Sequence, residues 1–294
     1  MERYISALLL FSCFNSVFAA PFIVAHRAGT ADHPENTHHA ISMALQNEAD
    51  VIWLSVQLSK DDIPVLYRPS NLNSLTDGSG FVSQYSWDEL QQLDAAYSFH
   101  INNLYIYRGR GIKIPSLQQI LRTYPETKFI LDIKSPNADP IIMANILDKT
   151  IKETNSHDRV IFYSTDKKYL KALPHDIRKF ESRNLTRNIL ANAVMANNCK
   201  INKRSESMLS HGPDKYHAFE LRRDVKVVEK YTLGKGSSQA QLIWNQQAMA
   251  CFKTNNDTKI LLIGINSYDD YQLAENLGAD YVMVDSPAVA KNWR

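Results

Sequence analysis

Short runs of Val, Ile, Leu and Phe recur along the chain between stretches whose apolar residues return every three or four positions. That alternation is the rhythm of buried parallel strands and amphipathic helices. Phe22 to Ala25, Val51 to Leu58, Lys128 to Ile133, Val160 to Tyr163, Gln241 to Trp244, Lys259 to Ile265 and Tyr281 to Val284 read as strands, and Phe219 to Leu221 adds a short eighth. Between several of them lie Thr37 to Asn47, Pro140 to Thr154 and Tyr268 to Leu277, which show helical periodicity; in the first, Ile41, Ala44 and Leu45 share one face.

Eight strands in a chain of this length fit one closed α/β barrel, typically about 250 residues, better than two separate domains. The expected fold is a single (β/α)8 TIM-type barrel spanning residues 20–294, with an excursion after strand two. Ser70 to Gly111 forms that excursion, punctuated by Gly78, Gly80, Gly109 and Gly111. Arg183 to Ser238 is polar and poorly periodic, so the strand order there stays open.

Composition narrows the functional class. The 294 residues are 44% hydrophobic and 22% charged, enough to build a buried core and unlike disordered or collagenous chains. Lys plus Arg number 33 against 31 Asp plus Glu, a net charge of +2, and no long basic run offers a stripe for nucleic acid. The short basic stretch from Lys200 to Arg204 reads as a solvated loop.

The N-terminus reads as an export signal over residues 1–19: Arg3, an apolar run from Ile5 to Phe18, and Val17-Phe18-Ala19 as the cleavage site. The expected product is secreted or periplasmic, without a later apolar segment long enough to span a bilayer. Leu10 to Cys13 only faintly suggests a lipid-attachment box, because Phe11 is bulky there. Signal removal leaves Cys199 and Cys251, which in an oxidising compartment form either one disulfide or two separate buried thiols. The sequons at Asn184 and Asn256 matter only in a glycosylating host.

In such barrels chemistry sits at the carboxyl ends of strands. Strand one runs directly into His26 and Arg27, followed by Pro34-Glu35-Asn36-Thr37 opening a helix. An imidazole exchanges protons near neutral pH, and a guanidinium grips phosphate oxygens in a planar fork, so the pair suits a phosphodiester. His33, His38 and His39 lack the spacing of a zinc site, and no Cys-x-x-Cys or glycine-rich nucleotide loop occurs.

Together with Ala49-Asp50 through Pro64-Val65, Leu72, Thr76, Gly78 and Gly80, the segments Ile114 to Leu117, Leu131 to Lys134, Ile263 to Asn266 and Gly278 to Pro287 give the chain a recognisable order of motifs. In that order it resembles the glycerophosphodiester phosphodiesterase family, a barrel-fold group that is itself similar to phosphatidylinositol phospholipases C and sphingomyelinases D. The resemblance implies a phosphoric diester hydrolase of lipid metabolism that binds calcium or magnesium and uses two histidines for acid-base work. It implies that His26 matches the first histidine and Arg27 the phosphate-gripping arginine.

The same resemblance marks departures. The family's Glu-x-Asp pair on strand two falls at Trp53 and Ser55, its His-Asp pair at Arg68 and Pro69, and its third acidic ligand at Asp132, with Lys134 two residues on. A hard cation wants several oxygen ligands, so no metal is expected at that position; Asp132 and Glu220 are the remaining candidate ligands, and Glu220 and Asp285, spare acids near strand ends, could build a displaced metal site. Arg68 stays charged and cannot replace a proton donor, but Arg27, Arg68 and Lys134 together could hold a phosphate. In the simpler alternative, Arg68 faces solvent, Trp53 fills the vacated pocket, and Glu220 and Asp285 are caps or structural acids.

The expected protein is therefore an exported family member that binds a phosphodiester or phospholipid headgroup without metal-dependent hydrolysis, with no nucleic-acid partner. The alternative is an active phosphoric diester hydrolase with a non-standard site, using His26, Arg27 and Lys134 with Asp132 and Glu220, and needing calcium or magnesium or no metal. A third reading is an interaction protein that uses the barrel exterior.

Overall fold

The computed structural model describes residues 19–199, 214–254 and 257–294. Most of the candidate export signal, Lys200 to Arg204 and Asn256 of the second sequon lie outside the described residues. Among the described residues no helix is long and apolar enough to cross a membrane.

The apolar runs pair as parallel strands: β1 (Phe22–Ala25), β2 (Val51–Leu58), β4 (Lys128–Ile133), β5 (Val160–Tyr163), β6 (Lys215–Glu220), β9 (Thr258–Ile263) and β10 (Tyr281–Val284). Their order in the sheet is β5-β4-β2-β1-β10-β9-β6, and β3 (Pro64–Leu66) pairs antiparallel with β2. The gap between β5 and β6 is filled by a two-residue stave. Phe162 pairs with Lys179 and Phe180 with Tyr216, both parallel. Phe180 N donates to Phe162 O and Glu181 N to Tyr216 O, each at 2.8 Å, closing a TIM-type barrel of eight staves.

Every residue of β2 is buried, so its side chains must find partners on both faces. The inward set, with Val24, Trp53, Ile130, Tyr163, Phe180, Tyr216 and Met283, fills the barrel interior. The outward set packs beneath the helices, for example Ile52, Leu54 and Phe129 with Ile41 and Leu147. The helices start where polar side chains satisfy exposed amides. Thr37 Oγ1 accepts from Ala40 N ahead of α1 (His38–Gln46), and Asp139 accepts from Ile141 N and Ile142 N ahead of α4 (Pro140–Glu153).

Two features differ from expectation. Gln241 to Trp244 is not a barrel stave: it ends β8 (Gly234–Ile243), which pairs only with β7 (Arg222–Tyr231) in a hairpin inserted after β6. Leu242 and Trp244 are buried where the hairpin meets the barrel, and that local alternation mimics a strand of the main sheet. The stave at Lys179 and Phe180 has too few residues to show any period. The excursion after β3 is present, gathered around Val65, Tyr67, Leu72, Val82, Leu90 and Ile114, with the short α2 (Trp87–Leu90) inside it.

Of the two arrangements open to the cysteines, the structure has the disulfide. Cys199, just past α6 (Arg183–Met195), is bonded to Cys251 in α7 (Gln246–Phe252), 52 residues away. Replacing both by Ser should lower the unfolding free energy by about 2–4 kcal/mol, because the open chain regains loop entropy. Identical denaturant midpoints with and without reductant would contradict this.

His217, on the outward face of β6, is buried between Thr186 Oγ1 at 3.0 Å and the Phe252 ring, and burial pulls its pKa down to about 4. The neutral ring fits and the charged ring does not. Its contribution is therefore complete above about pH 6.5, the unfolded value, and is lost as pH falls toward 4. The stability gap between wild type and His217→Gln should shrink by up to about 3 kcal/mol over that window, measured by urea unfolding.

Candidate functional site

The first and last strands are neighbours in the sheet. Because β1 pairs with β10 in the register Ala25↔Val284, the residues immediately following, His26 and Asp285, are brought together at the carboxyl end of the barrel. His26 Nδ1 lies 2.6 Å from Asp285 Oδ1. Asp285 also accepts from Thr30 Oγ1 at 3.0 Å and Asn266 Nδ2 at 2.8 Å, and the His26 hydrogen bond, with these donors, holds its pKa down at about 2.

Arg27 Nε donates to His26 Nε2 at 3.2 Å, and Arg27 Nη1 meets Glu35 Oε2 at 2.6 Å. Since Nε2 accepts, the neutral imidazole carries its proton on Nδ1 and donates it to Asp285. The turn is conformationally demanding. Arg27 and Ala28 have φ of 49° and 68°, the left-handed region that ordinary residues avoid. Gly29 follows at φ 98°, where an added Cβ would sit 3.0 Å from Pro287 Cδ.

Asn36 ties this turn to β2, its Oδ1 accepting from Ser55 N at 2.9 Å. On the inner face of β2, Trp53 is 3% exposed, with its ring 4.8 Å from that of Tyr163. It fills the barrel interior as a core aromatic. Ser55 is the register partner of Asp132 on β4. The Ser55 Oγ and Asp132 Oδ1 are both buried without a hydrogen-bond partner.

Asp132 Oδ2 pairs with Lys134 Nζ at 3.2 Å, and Lys134 also donates to Thr165 Oγ1 at 3.3 Å. Burial pushes the Asp132 pKa up to about 6, against the opposing pull of Lys134, Arg68 and Arg27. Arg68 itself is exposed at the rim. Thus His26, Arg27, Arg68, Asp132 and Lys134 converge at one mouth. Glu220 does not join them. It stands at the end of β6, with both carboxylate oxygens 2.5 Å from Arg183 Nη2 and with Arg223 at 3.6 Å.

The chain matches the model of the Glycerophosphoryl diester phosphodiesterase family over residues 26–289. It belongs to that family. An uncharacterized protein of Mycobacterium tuberculosis is 38% identical over 280 residues, covering 93% of this chain and 90% of its own length. The crystal structure of that protein's glycerophosphoryl diester phosphodiesterase domain superposes with a TM-score of 0.84 at 37% identity, covering 94% of this chain and 100% of that one. A phosphodiesterase of Oleispira antarctica, solved with the product sn-glycerol-3-phosphate, shares the fold with a TM-score of 0.64 at 20% identity, over 93% of this chain and 96% of its own.

The divalent cation implied by the family resemblance can be tested against the donors present. A hard cation wants six or more oxygens with carboxylates among them. Here the mouth offers Ser55 Oγ and three carboxylates that are each already paired, Asp132 with Lys134, Glu35 with Arg27 and Asp285 with His26, and Asp132 also lies near two guanidinium groups. Among the described residues no three His, Cys, Asp or Glu side chains are grouped to hold a metal ion. These residues do not fit a calcium or magnesium ion.

Two participants escaped the reading of the sequence. Asp285, read there as a cap or structural acid or as part of a displaced metal site, is the partner of His26; the signal that could have found that pairing is barrel closure, which sets the last strand beside the first. Arg183, in the polar stretch, neutralises Glu220. Because Asp285 is ionised at a lower pH folded than unfolded, its contribution holds above about pH 4 and is lost as pH falls through about 2. With the side chain 40% exposed, screening leaves about 1 kcal/mol, so the stability difference between wild type and Asp285→Asn should narrow by that much between pH 5 and pH 2, measured by urea unfolding.

Proposed function

We propose that this protein is an exported phosphodiester-recognition member of its family, whose barrel mouth holds a phosphodiester or phospholipid headgroup without divalent-cation-dependent hydrolysis. The observation that carries the reading is that β2 presents no carboxylate to the mouth: Trp53 packs into the interior, and Ser55 leaves Asp132 balanced by Lys134 alone at short range. Positive charge from Arg27, Arg68 and Lys134 then takes the place a cation would occupy electrostatically, and guanidinium groups recognise phosphate oxygens through paired hydrogen bonds. Export is supported by the apolar run ahead of Ala19 and by the Cys199–Cys251 disulfide, which suits an oxidising compartment.

A second reading is favoured by the His26–Asp285 pair, a metal-independent phosphoric diester hydrolase. In it, Arg27 Nε moves from His26 Nε2 to a phosphate oxygen, and the freed Nε2 takes a proton from water as the water oxygen bonds to phosphorus. The bond from phosphorus to the leaving alcohol breaks, and the same proton passes to that alcohol. Asp285 holds the ring tautomer and balances the imidazolium while it lasts.

Calorimetric titration with glycerophosphocholine in chelator separates the two. Recognition predicts heat of binding that Arg27→Ala and Arg68→Ala each weaken by about tenfold or more, the loss of one charge-assisted contact. Hydrolysis predicts choline release that persists in chelator and disappears in His26→Ala. Robust turnover that starts only on adding calcium or magnesium would overturn both.

A further inference from the structure

The β7–β8 hairpin supports little core. Its ten register pairs run from Arg222↔Ile243 to Tyr231↔Gly234, about 34 Å of ribbon at the usual rise. Along β8 only Leu242, near the base, is buried. A two-stranded ribbon is marginal by itself, so its length is not explained by the packing it contributes. It leaves the barrel directly after Glu220, at the carboxyl end of β6, the same end that carries His26 and Asp285.

Its chemistry is specific. Of its five cations, Arg222 and Arg223 are paired at the base with Asp270 and Glu220, which leaves Lys226, Lys230 and Lys235 against Asp224 and Glu229 along the rest of the ribbon. Lys235, next to the turn, and Lys226, midway along the ribbon, are both exposed. At the turn itself Leu233 is fully exposed, and Val228 is exposed along the ribbon.

A second loop repeats the combination at the same end. In the excursion, Ile101, Leu104, Tyr105 and Ile106 are exposed within six residues. Arg108 lies between the Tyr97 and Tyr105 rings, 4.1 and 3.8 Å from their centroids. Tyr107 OH meets His33 Nδ1 at 2.9 Å, anchoring the loop to the turn that follows β1.

We infer that the carboxyl-end face of the barrel docks on an anionic phospholipid bilayer, through the tip of the β7–β8 hairpin and the loop from Tyr97 to Ile106. Apolar residues at two separate tips suit insertion at the boundary between headgroups and acyl chains, where tyrosine rings also settle. The neighbouring lysines and arginines suit a negative surface. A protein partner would favour one contiguous apolar patch, and nucleic acid gains nothing from a leucine at the apex.

The inference is independent of what the barrel mouth binds. The test is co-sedimentation of the full chain with phosphatidylcholine vesicles, with and without phosphatidylglycerol. Binding should require phosphatidylglycerol and weaken as salt rises. Lys226→Glu and Lys235→Glu should each reduce the partition coefficient about fivefold or more, and Leu233→Asp and Leu104→Asp should each reduce it further. All four positions are exposed, and these variants should keep the wild-type melting temperature and the wild-type response to glycerophosphocholine. Arg68→Ala should retain vesicle binding. Absence of vesicle binding, hairpin and loop variants that bind like wild type, or vesicle binding lost through Arg68→Ala alone would each overturn the inference.

Discussion

Parallel pairing of β1 with β10 is the constraint on which the mouth depends. Four register pairs from Phe22↔Tyr281 to Ala25↔Val284 bring the first and last strands together, and each strand is followed at once by a chemically active side chain. The His26–Asp285 contact is thus a property of the closed ring. Neither residue acquires its partner from any local segment, and Ser286 extends the seam by donating to Asp32 Oδ1 at 2.6 Å. The left-handed turn at Arg27 and Ala28 is held by the same closure, with Ala31 N donating to Asp285 O at 3.0 Å.

Charge balance inside the barrel follows from what β2 lacks. A buried carboxylate needs either a cation or a proton. Asp132 has Lys134 on one oxygen and nothing on the other, and burial accordingly moves it toward the protonated form. Trp53, on the inner face of the neighbouring β2, fills the barrel interior with Tyr163 and Phe180. Asp132 is thus drawn toward neutrality at the floor, while Arg27, Arg68 and Lys134 set positive charge around it.

How far this was legible in the sequence depends on the kind of interaction. Strands buried on both faces, such as Val51–Leu58 and Lys128–Ile133, announce themselves as continuous apolar runs. His26, Arg27, Arg68, Asp132 and Lys134 were legible because each sits at a strand end or follows a recognisable motif. The hairpin was not legible, because a ribbon wetted on both faces has no reason to alternate. Gln241 to Trp244 misled for the complementary reason: two side chains buried at the base of a hairpin give the same short pattern as a barrel strand. Asp285 was visible as a strand-end acid, but its partner lies 259 residues away, a separation only topology can bridge.

The thinness of the stave at Lys179 and Phe180 has a mechanical consequence. Elsewhere neighbouring strands share from two rungs, as between β1 and β2, to six, as between β2 and β4, whereas this wall is held by single bridges to Phe162 and Tyr216. A cylinder with one weak seam breathes there first, so transient solvent entry and amide exchange concentrate on that side while the opposite wall stays shut. The Phe180 ring leans on Trp53 and Tyr163 at that seam, linking the cylinder's breathing to the floor of its cavity.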